Sequence, residues 1–278
     1  MRFACLGSGS QGNGLVVEVA DTRLLLDCGF TLKETIARLS RLDLDPGMIN
    51  GIVVTHEHDD HISGVARLAR KFDIPVWLTH GTLRSMEKAF AALPQVNIID
   101  SHQRFAINAI EIEPYPVPHD AHEPTQFVFS DGAVRLGVLT DTGCSTPHIE
   151  AVLSRCHALV LECNHDAQML AHSDYPSSLK QRIGGRFGHL ENTAAAKLLA
   201  SLDCSRLQHV IAAHLSRTNN TPLLAQAALS NGLNCDRNWI GIASQNENSA
   251  AERRSAPNSM APTIVAPARD TPGIIEMH

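Results

Sequence analysis

Seven consecutive residues, Thr55-His56-Glu57-His58-Asp59-Asp60-His61, restrict this chain more than any other stretch. They hold the pattern His-x-His-x-Asp-His. Imidazole and carboxylate are the usual side-chain ligands of zinc and related divalent cations. The residues Gly51-Ile52-Val53-Val54-Thr55 are apolar and β-branched, and read as a short buried strand. Side chains two apart in an extended segment share a side, so His56 and His58 can reach one ion. From Ile62 the pattern becomes helical, with Val65, Leu68 and Ala69 on one stripe. Asp60 and His61 therefore fall where strand gives way to helix and can turn to a second ion. Two ions need more donors than one motif supplies, so the fold must bring others to the same place.

Three candidates stand just after apolar strands: His119 after 109–117, Asp141 after 134–140 and His214 after 207–213. Ligands on strand ends meet along one sheet edge, on rigid supports. The other strands are read at 2–7, 14–19, 22–27, 51–55, 75–78, 96–99, 125–130, 157–162 and 238–242. Helices are read at 31–42, 62–71, 82–92, 147–154, 191–201 and 221–231, with helical pieces between 166 and 184. Strands in two groups with helices outside predict the α/β class and a four-layer αβ/βα sandwich. Residues 1–243 form this domain. From Ser244 onward Pro, Ala, Ser, Asn and Arg dominate without an apolar period, so 244–278 reads as a disordered tail.

A net charge of −6 gives no global basic field to attract nucleic acid, so such a partner needs a local patch. Two basic clusters are candidates: Arg67, Arg70 and Lys71, and Lys180, Arg182 and Arg186. Aromatic content of 4% argues against extensive base stacking. No apolar run reaches the roughly eighteen residues of a membrane span, and the N-terminal apolar segment is too short for a signal peptide. Seven cysteines without a Cys-x-x-Cys pair fit thiols in a reducing cytoplasm.

Asp27, the His56–His61 block, His119, Asp141 and His214 stand in the order of the five motifs of metallo-β-lactamase-fold hydrolases, and the chain resembles that superfamily over residues 2–242. Within it the chain is similar to the YycJ/WalJ-like group of exonucleases. The supporting residues are Gly7 to Asn13, Pro118-His119-Asp120-Ala121, Glu162-Cys163-Asn164-His165-Asp166, Gly188-His189-Leu190 and His214 to Asn220. The resemblance implies a first ion on His56, His58 and His119, a second on Asp60, His61 and His214, and Asp141 between them. Both ions are expected to be zinc, with Mn²⁺ or Fe²⁺ as alternatives. Asp27 is expected to orient ligands, or else simply to form the turn before Cys28-Gly29. His165 and Asp166 are candidates for the substrate side of the site or for positions behind the ligands. Gly7 to Gly14 is expected to form a tight loop beside the site.

Such a site hydrolyses phosphodiesters, thioesters or lactams with a hydroxide held between the ions. Asp60 and Asp141 are expected to serve that chemistry. Gly188-His189-Leu190 resembles the Gly-His-Ser-Thr region of tRNase Z enzymes, and His214-Leu215-Ser216 their His-Phe-Ser segment. This favours a phosphodiesterase, with His189 as a catalytic group at a helix N-terminus, holding a phosphate oxygen or protonating the leaving alkoxide. Arg217, Asn219 and Asn220 are expected to touch a DNA or RNA backbone. The leading expectation is a two-metal phosphodiesterase acting on nucleic acid, and the resemblance implies a 5′-to-3′ exonuclease. A cyclic phosphodiesterase or glyoxalase-like thioesterase is the alternative, and a non-catalytic metal-binding regulator the third reading.

Overall fold

In the computed structural model the described residues are 1–93, 95–245 and 273–278. The first sheet begins with β1 (Arg2–Gly7), β2 (Gly14–Val19) and β3 (Thr22–Leu26), paired antiparallel. It continues in parallel through β4 (Gly51–Val53), β5 (Val76–Thr79) and β6 (Val96–Ile99). The second sheet opens with β7 (Phe105–Ile107), β8 (Ile110–Pro116) and β9 (Thr125–Ser130). It then runs parallel through β10 (Arg135–Leu139), β11 (Ala158–Glu162), β12 (His209–Ala213) and β13 (Ile240–Ile242). Residue alternation sets which sheet face each side chain meets. Val17, Leu24, Phe127, Phe129, Leu136 and Ile211 fill the space between the sheets.

The outer faces carry the helices. Helices α1 (Leu32–Ser40), α2 (Asp59–Ile62), α3 (Val65–Phe72) and α4 (His80–Phe90) belong to the first sheet's half of the chain. Leu39, Ile62, Leu68 and Phe90 from these helices cluster with Leu25, Ile52 and Leu78 of its strands. Five more helices follow: α5 (Pro147–Leu153), α6 (Ala167–His172), α7 (Ser177–Ile183), α8 (Asn192–Ser201) and α9 (Pro222–Leu233). Ile149, Leu198, Leu199 and Leu229 close over Leu159, Leu161 and Val210 of the second sheet. Three apolar layers between four structural layers make this an αβ/βα sandwich.

Three features depart from the sequence reading. The short β7 has too few residues to show a period. The helix expected at 62–71 is two pieces, because the chain turns at Ser63-Gly64; a Cβ on Gly64 would lie 2.1 Å from Phe30 O. Finally, residues read as the end of a structureless tail form β14 (Ile275–Glu276), antiparallel to β1. Ile275 and Met277 are buried in the layer between the sheets. Gln208 and His278 exchange hydrogen bonds, so the C-terminus also touches the second sheet's half. The remainder of that expected tail, 246–272, lies outside the described residues. Ile275→Ala removes buried methylenes at a sheet edge and is expected to lower stability by about 2–3 kcal/mol. The check is the urea midpoint at unchanged slope.

Candidate metal centre

Every candidate ligand lies beyond the C-terminal end of a strand, where loops of a parallel sheet are free to converge. Asp27 follows β3, the His56–His61 block follows β4, His119 follows β8, Asp141 follows β10 and His214 follows β12. Asp27, Asp141 and His214 have φ of 58°, 52° and 55°. This left-handed conformation is uncommon outside glycine, and it turns each chain sharply at its strand end. Asp60 and His61 sit in the one-turn α2, whose backbone presses on the loop after β3. A Cβ on Gly29 would fall 1.7 Å from Asp60 O, so only glycine fits there.

The imidazoles come together through their inward nitrogens. His58 Nδ1 lies 3.1 Å from His56 Nε2 and 3.2 Å from His119 Nε2. Asp60 Oδ2 lies 3.5 Å from His61 Nε2 and 3.4 Å from His214 Nε2. Asp141 spans the two groups. Its Oδ2 is 3.1 Å from His61 Nε2, and its Oδ1 is 4.0 Å from His119 Nε2 and 3.3 Å from His214 Nδ1.

The outward nitrogens have acceptors of their own. His61 Nδ1 meets Asp27 Oδ2 at 2.8 Å, and His119 Nδ1 meets Gly188 O at 3.0 Å. His214 Nδ1 meets Glu162 Oε1 at 3.1 Å. His56 Nδ1 meets Thr55 Oγ1 at 2.9 Å, while that hydroxyl donates to Asp27 Oδ2. These partners assign the N–H of His56, His61, His119 and His214 to the outward atom and leave a lone pair pointing inward.

Lone pairs of nitrogen and carboxylate oxygen thus face one another across about 3–4 Å. Asp141 Oδ2 is buried and has no hydrogen-bond donor. Such an arrangement requires cations between the atoms. In the protein alone, protons supply them. Burial opposes charge on His214, yet Asp141 and hydrogen bonds to Asp60 and Glu162 outweigh it and push its pKa to about 10. For His61 too, burial is overcome by Asp141, Asp60 and Asp27, and the pKa rises well above the ordinary value. Burial followed by His61 drives His56 well below its ordinary value, and burial lowers His119. Asp60, despite burial, is held at about 2 by His61 and His214. The same field would hold divalent cations. The trios His56-His58-His119 and Asp60-His61-His214 each offer ligand atoms within 4.8 Å of one another.

Two residues that support the resemblance but carry no site role in the sequence gain one here. Glu162, at the end of β11, is fully buried; its Oε1 takes His189 Nδ1 at 2.9 Å as well as His214, and its Oε2 accepts from the backbone N–H groups of Thr142 and Leu190. A strand-end carboxylate is the same signal that marked Asp141. Asn13, from the loop between β1 and β2, places Nδ2 3.2 Å from Asp60 Oδ2 and 3.1 Å from His61 Nε2. That loop does stand beside the site, and Ser8 Oγ accepts from His214 N.

Other expectations need correction. Asn219 is fully buried and Asn220 nearly so; Asn220 bonds Cys163 O and the Asn192 amide. Neither presents a side chain to a substrate backbone. Arg217 is exposed, next in sequence to the Leu215–Ser216 wall of the cleft. Asp166 is not behind the ligands: it caps α6, accepting from Gln168 N and Met169 N. His165 is buried against Asn164 Oδ1, not against a ligand. Glu191 caps α8 through Thr193 N and Ala194 N, so those amides are not free for a phosphate.

A cleft of about 340 Å³ opens over the cluster, lined by His58, Asp60, Asp141, His189 and His214 and by Leu179, Arg182 and Ile183 of α7. Among the described residues no helix is long and apolar enough to cross a membrane.

Comparison with known proteins agrees with this architecture. The β-lactamase superfamily domain matches residues 22–214, more than half of the chain. Exodeoxyribonuclease YycJ of Bacillus anthracis is 38% identical over 232 residues, covering 83% of this chain and 88% of that protein. Exodeoxyribonuclease WalJ of Streptococcus pneumoniae serotype 2 is 31% identical over 236 residues, covering 84% and 88%. The crystal structure of the metallo-β-lactamase fold protein YhfI from Bacillus subtilis superposes with a TM-score of 0.69 at 15% identity, covering 88% of this chain and 96% of that one. Matched over most of its length by the domain and by these relatives, the chain belongs to the β-lactamase superfamily and, within it, to the YycJ/WalJ family of metal-dependent hydrolases.

Proposed function

We propose that the protein is a two-metal nuclease that hydrolyses phosphodiester bonds in DNA. The observation that carries this reading is the set of inward lone pairs on His56, His61, His119 and His214, each fixed by a partner on the ring's other nitrogen, with His58 Nδ1 brought beside His56 and His119. Rings so oriented suit ions rather than packing. His56, His58 and His119 would hold one zinc ion, Asp60, His61 and His214 a second, and Asp141 would reach both. Bound ions of this kind lower the pKa of water and neutralise charge on phosphate oxygens. The exodeoxyribonuclease relatives supply the choice of DNA.

His189 is the proton donor in this reading. Its Nδ1–H is given to Glu162, which leaves Nε2 for the cleft that the ring lines. Burial disfavours its charge, but Glu162 and then Asp141 outweigh burial and raise its pKa. An imidazolium held this way can protonate a departing alkoxide. The free state of all seven cysteines fits a reducing cytoplasm.

The test is purified protein with Zn²⁺ or Mn²⁺ on labelled single- and double-stranded DNA, RNA and bis-p-nitrophenyl phosphate. DNA hydrolysis that EDTA abolishes is the expected result; cleavage of a thioester but of no phosphodiester would refute the reading. His189→Ala should slow turnover about 100-fold with metal content unchanged. Loss of metal from that variant would reassign His189 as a ligand.

A further inference from the structure

The loop between β1 and β2 reaches two of the three side chains assigned to the second ion. Asn13 Nδ2 lies 3.2 Å from Asp60 Oδ2, and Ser8 Oγ accepts from His214 N at 2.8 Å. Both loop residues are 6% exposed. They are joined to each other, since Ser8 Oγ donates to Asn13 Oδ1 at 3.3 Å. His56 and His119, assigned to the first ion, take their partners from Thr55 and Gly188 instead. A loop that grips the ligands of one ion can act on that ion apart from its neighbour.

From this geometry we infer that Asn13 is a positioning residue for the second ion, holding the Asp60 carboxylate in place for it. The inference rests on the two-ion reading above and assigns one of its supports. Gly9 N donates to Asn13 Oδ1 at 2.9 Å, which fixes the amide orientation and turns Nδ2 toward Asp60. Nδ2 carries two protons and has Gly9 O, Asp60 O, Asp60 Oδ2 and His61 Nε2 within 3.1–3.2 Å. His61 Nε2 has a single lone pair, which an ion would claim. A carboxylate oxygen has two, so Asp60 Oδ2 can accept from Asn13 and still serve as a ligand. The Asn13 amide thus keeps its bond to Asp60 when His61 turns ligand, and a carboxylate fixed by such a bond is the better ligand.

The loop is itself anchored. Gly9 and Gly12 have φ of 141° and 148°, a conformation that side chains rarely adopt, and they let the chain fold back tightly. Gln245 spans the loop from outside: its Oε1 accepts from Gln11 N at 2.9 Å, and its Nε2 donates to Gly12 O at 2.8 Å. A Cβ on Gly9 would lie 2.6 Å from Gln245 Oε1. On the inner side Asn13 N donates to Asp60 O at 2.7 Å, and Gly29 N donates to Asn13 O at 3.0 Å. Asn13 is held from both sides, so its amide is a fixed donor.

The experiment titrates metal-free protein with Zn²⁺ against a chromophoric chelator and counts bound metal by elemental analysis. The original protein should bind two equivalents. Asn13→Ala should weaken one of them about 10–100-fold, the usual cost of removing a partner behind a metal ligand, and leave the other within about twofold. In an Asp60→Ala background the same change should add nothing, because both act on one ion. Turnover of bis-p-nitrophenyl phosphate by Asn13→Ala should fall at stoichiometric zinc and return in excess zinc. Gln245→Ala removes the outer anchor without altering Asn13 or any ligand, and should weaken the same equivalent by a smaller factor; it decides the matter if Asn13→Ala does not fold, an unchanged titration then counting against the inference. Two equivalents held by Asn13→Ala as tightly as by the original, or both weakened alike, would overturn the role of Asn13 while the nuclease reading stands. An original protein that binds fewer than two equivalents would overturn the two-ion reading with it.

Discussion

Asp141→Asn should reduce phosphodiester hydrolysis at least about 10³-fold and lower bound zinc to one equivalent or less. The carboxylate reaches both ligand groups: Oδ2 is 3.1 Å from His61 Nε2, and Oδ1 is 3.3 Å from His214 Nδ1 and 4.0 Å from His119 Nε2. Asparagine keeps the shape but turns one oxygen into a donor and removes the charge that offsets repulsion between two cations. An amide aimed at His61 Nε2 would satisfy that lone pair with a proton and block its use as a ligand. Losing one of two ions removes several kcal/mol of charge stabilisation in the transition state, and about 4 kcal/mol corresponds to 10³ in rate. Elemental analysis of the variant purified in zinc, together with kcat on bis-p-nitrophenyl phosphate, measures both effects. Two ions retained with turnover within tenfold of the original would rule out a shared carboxylate.

The strand-end rule explains why so much of this centre was legible. His119, Asp141 and His214 were found because each follows an apolar run, and parallel β10 to β12 bring their ends to one edge. The layers were legible for the same reason: β-branched alternation and amphipathic stripes such as Val65, Leu68 and Ala69 are local signals. What escaped depends on long-range packing. Asn219 and Asn220 follow a strand and are polar, which suggests exposure, yet helix α8 brings Asn192 over Asn220 and seals it. Asp166 looks chemical because it adjoins His165, and it caps helix α6. Residues 275–276 gain their strand from pairing with β1, far away in sequence; two residues have no period to read. Glu162 supports the resemblance and obeys the rule that marks Asp141, but its role is visible only through its partners, rings contributed by two distant loops.

Glu162→Gln should be the more damaging change for the reaction than His189→Ala, cutting turnover about 10³-fold. One carboxylate oxygen serves His189 Nδ1 at 2.9 Å and His214 Nδ1 at 3.1 Å; the other accepts two backbone N–H groups. Glutamine has one acceptor atom for these two jobs. If its oxygen faces the rings, its NH₂ confronts the N–H groups of Thr142 and Leu190. If it flips, two backbone donors are satisfied and both rings lose their acceptor, freeing them to take the other tautomer. Either arrangement leaves buried donors unpaired, at about 1–3 kcal/mol each, so the thermal midpoint should fall as well. Without the carboxylate, His189 also loses the largest influence raising its pKa, and the limb of the pH–rate profile that reports a protonated donor should move to lower pH. That displacement separates a positioning role from a purely structural one: a variant that melts earlier but keeps its pH profile would show Glu162 to be scaffold alone. Paired with His189→Ala, the two changes should combine to far less than the product of their separate effects, because both act on one proton.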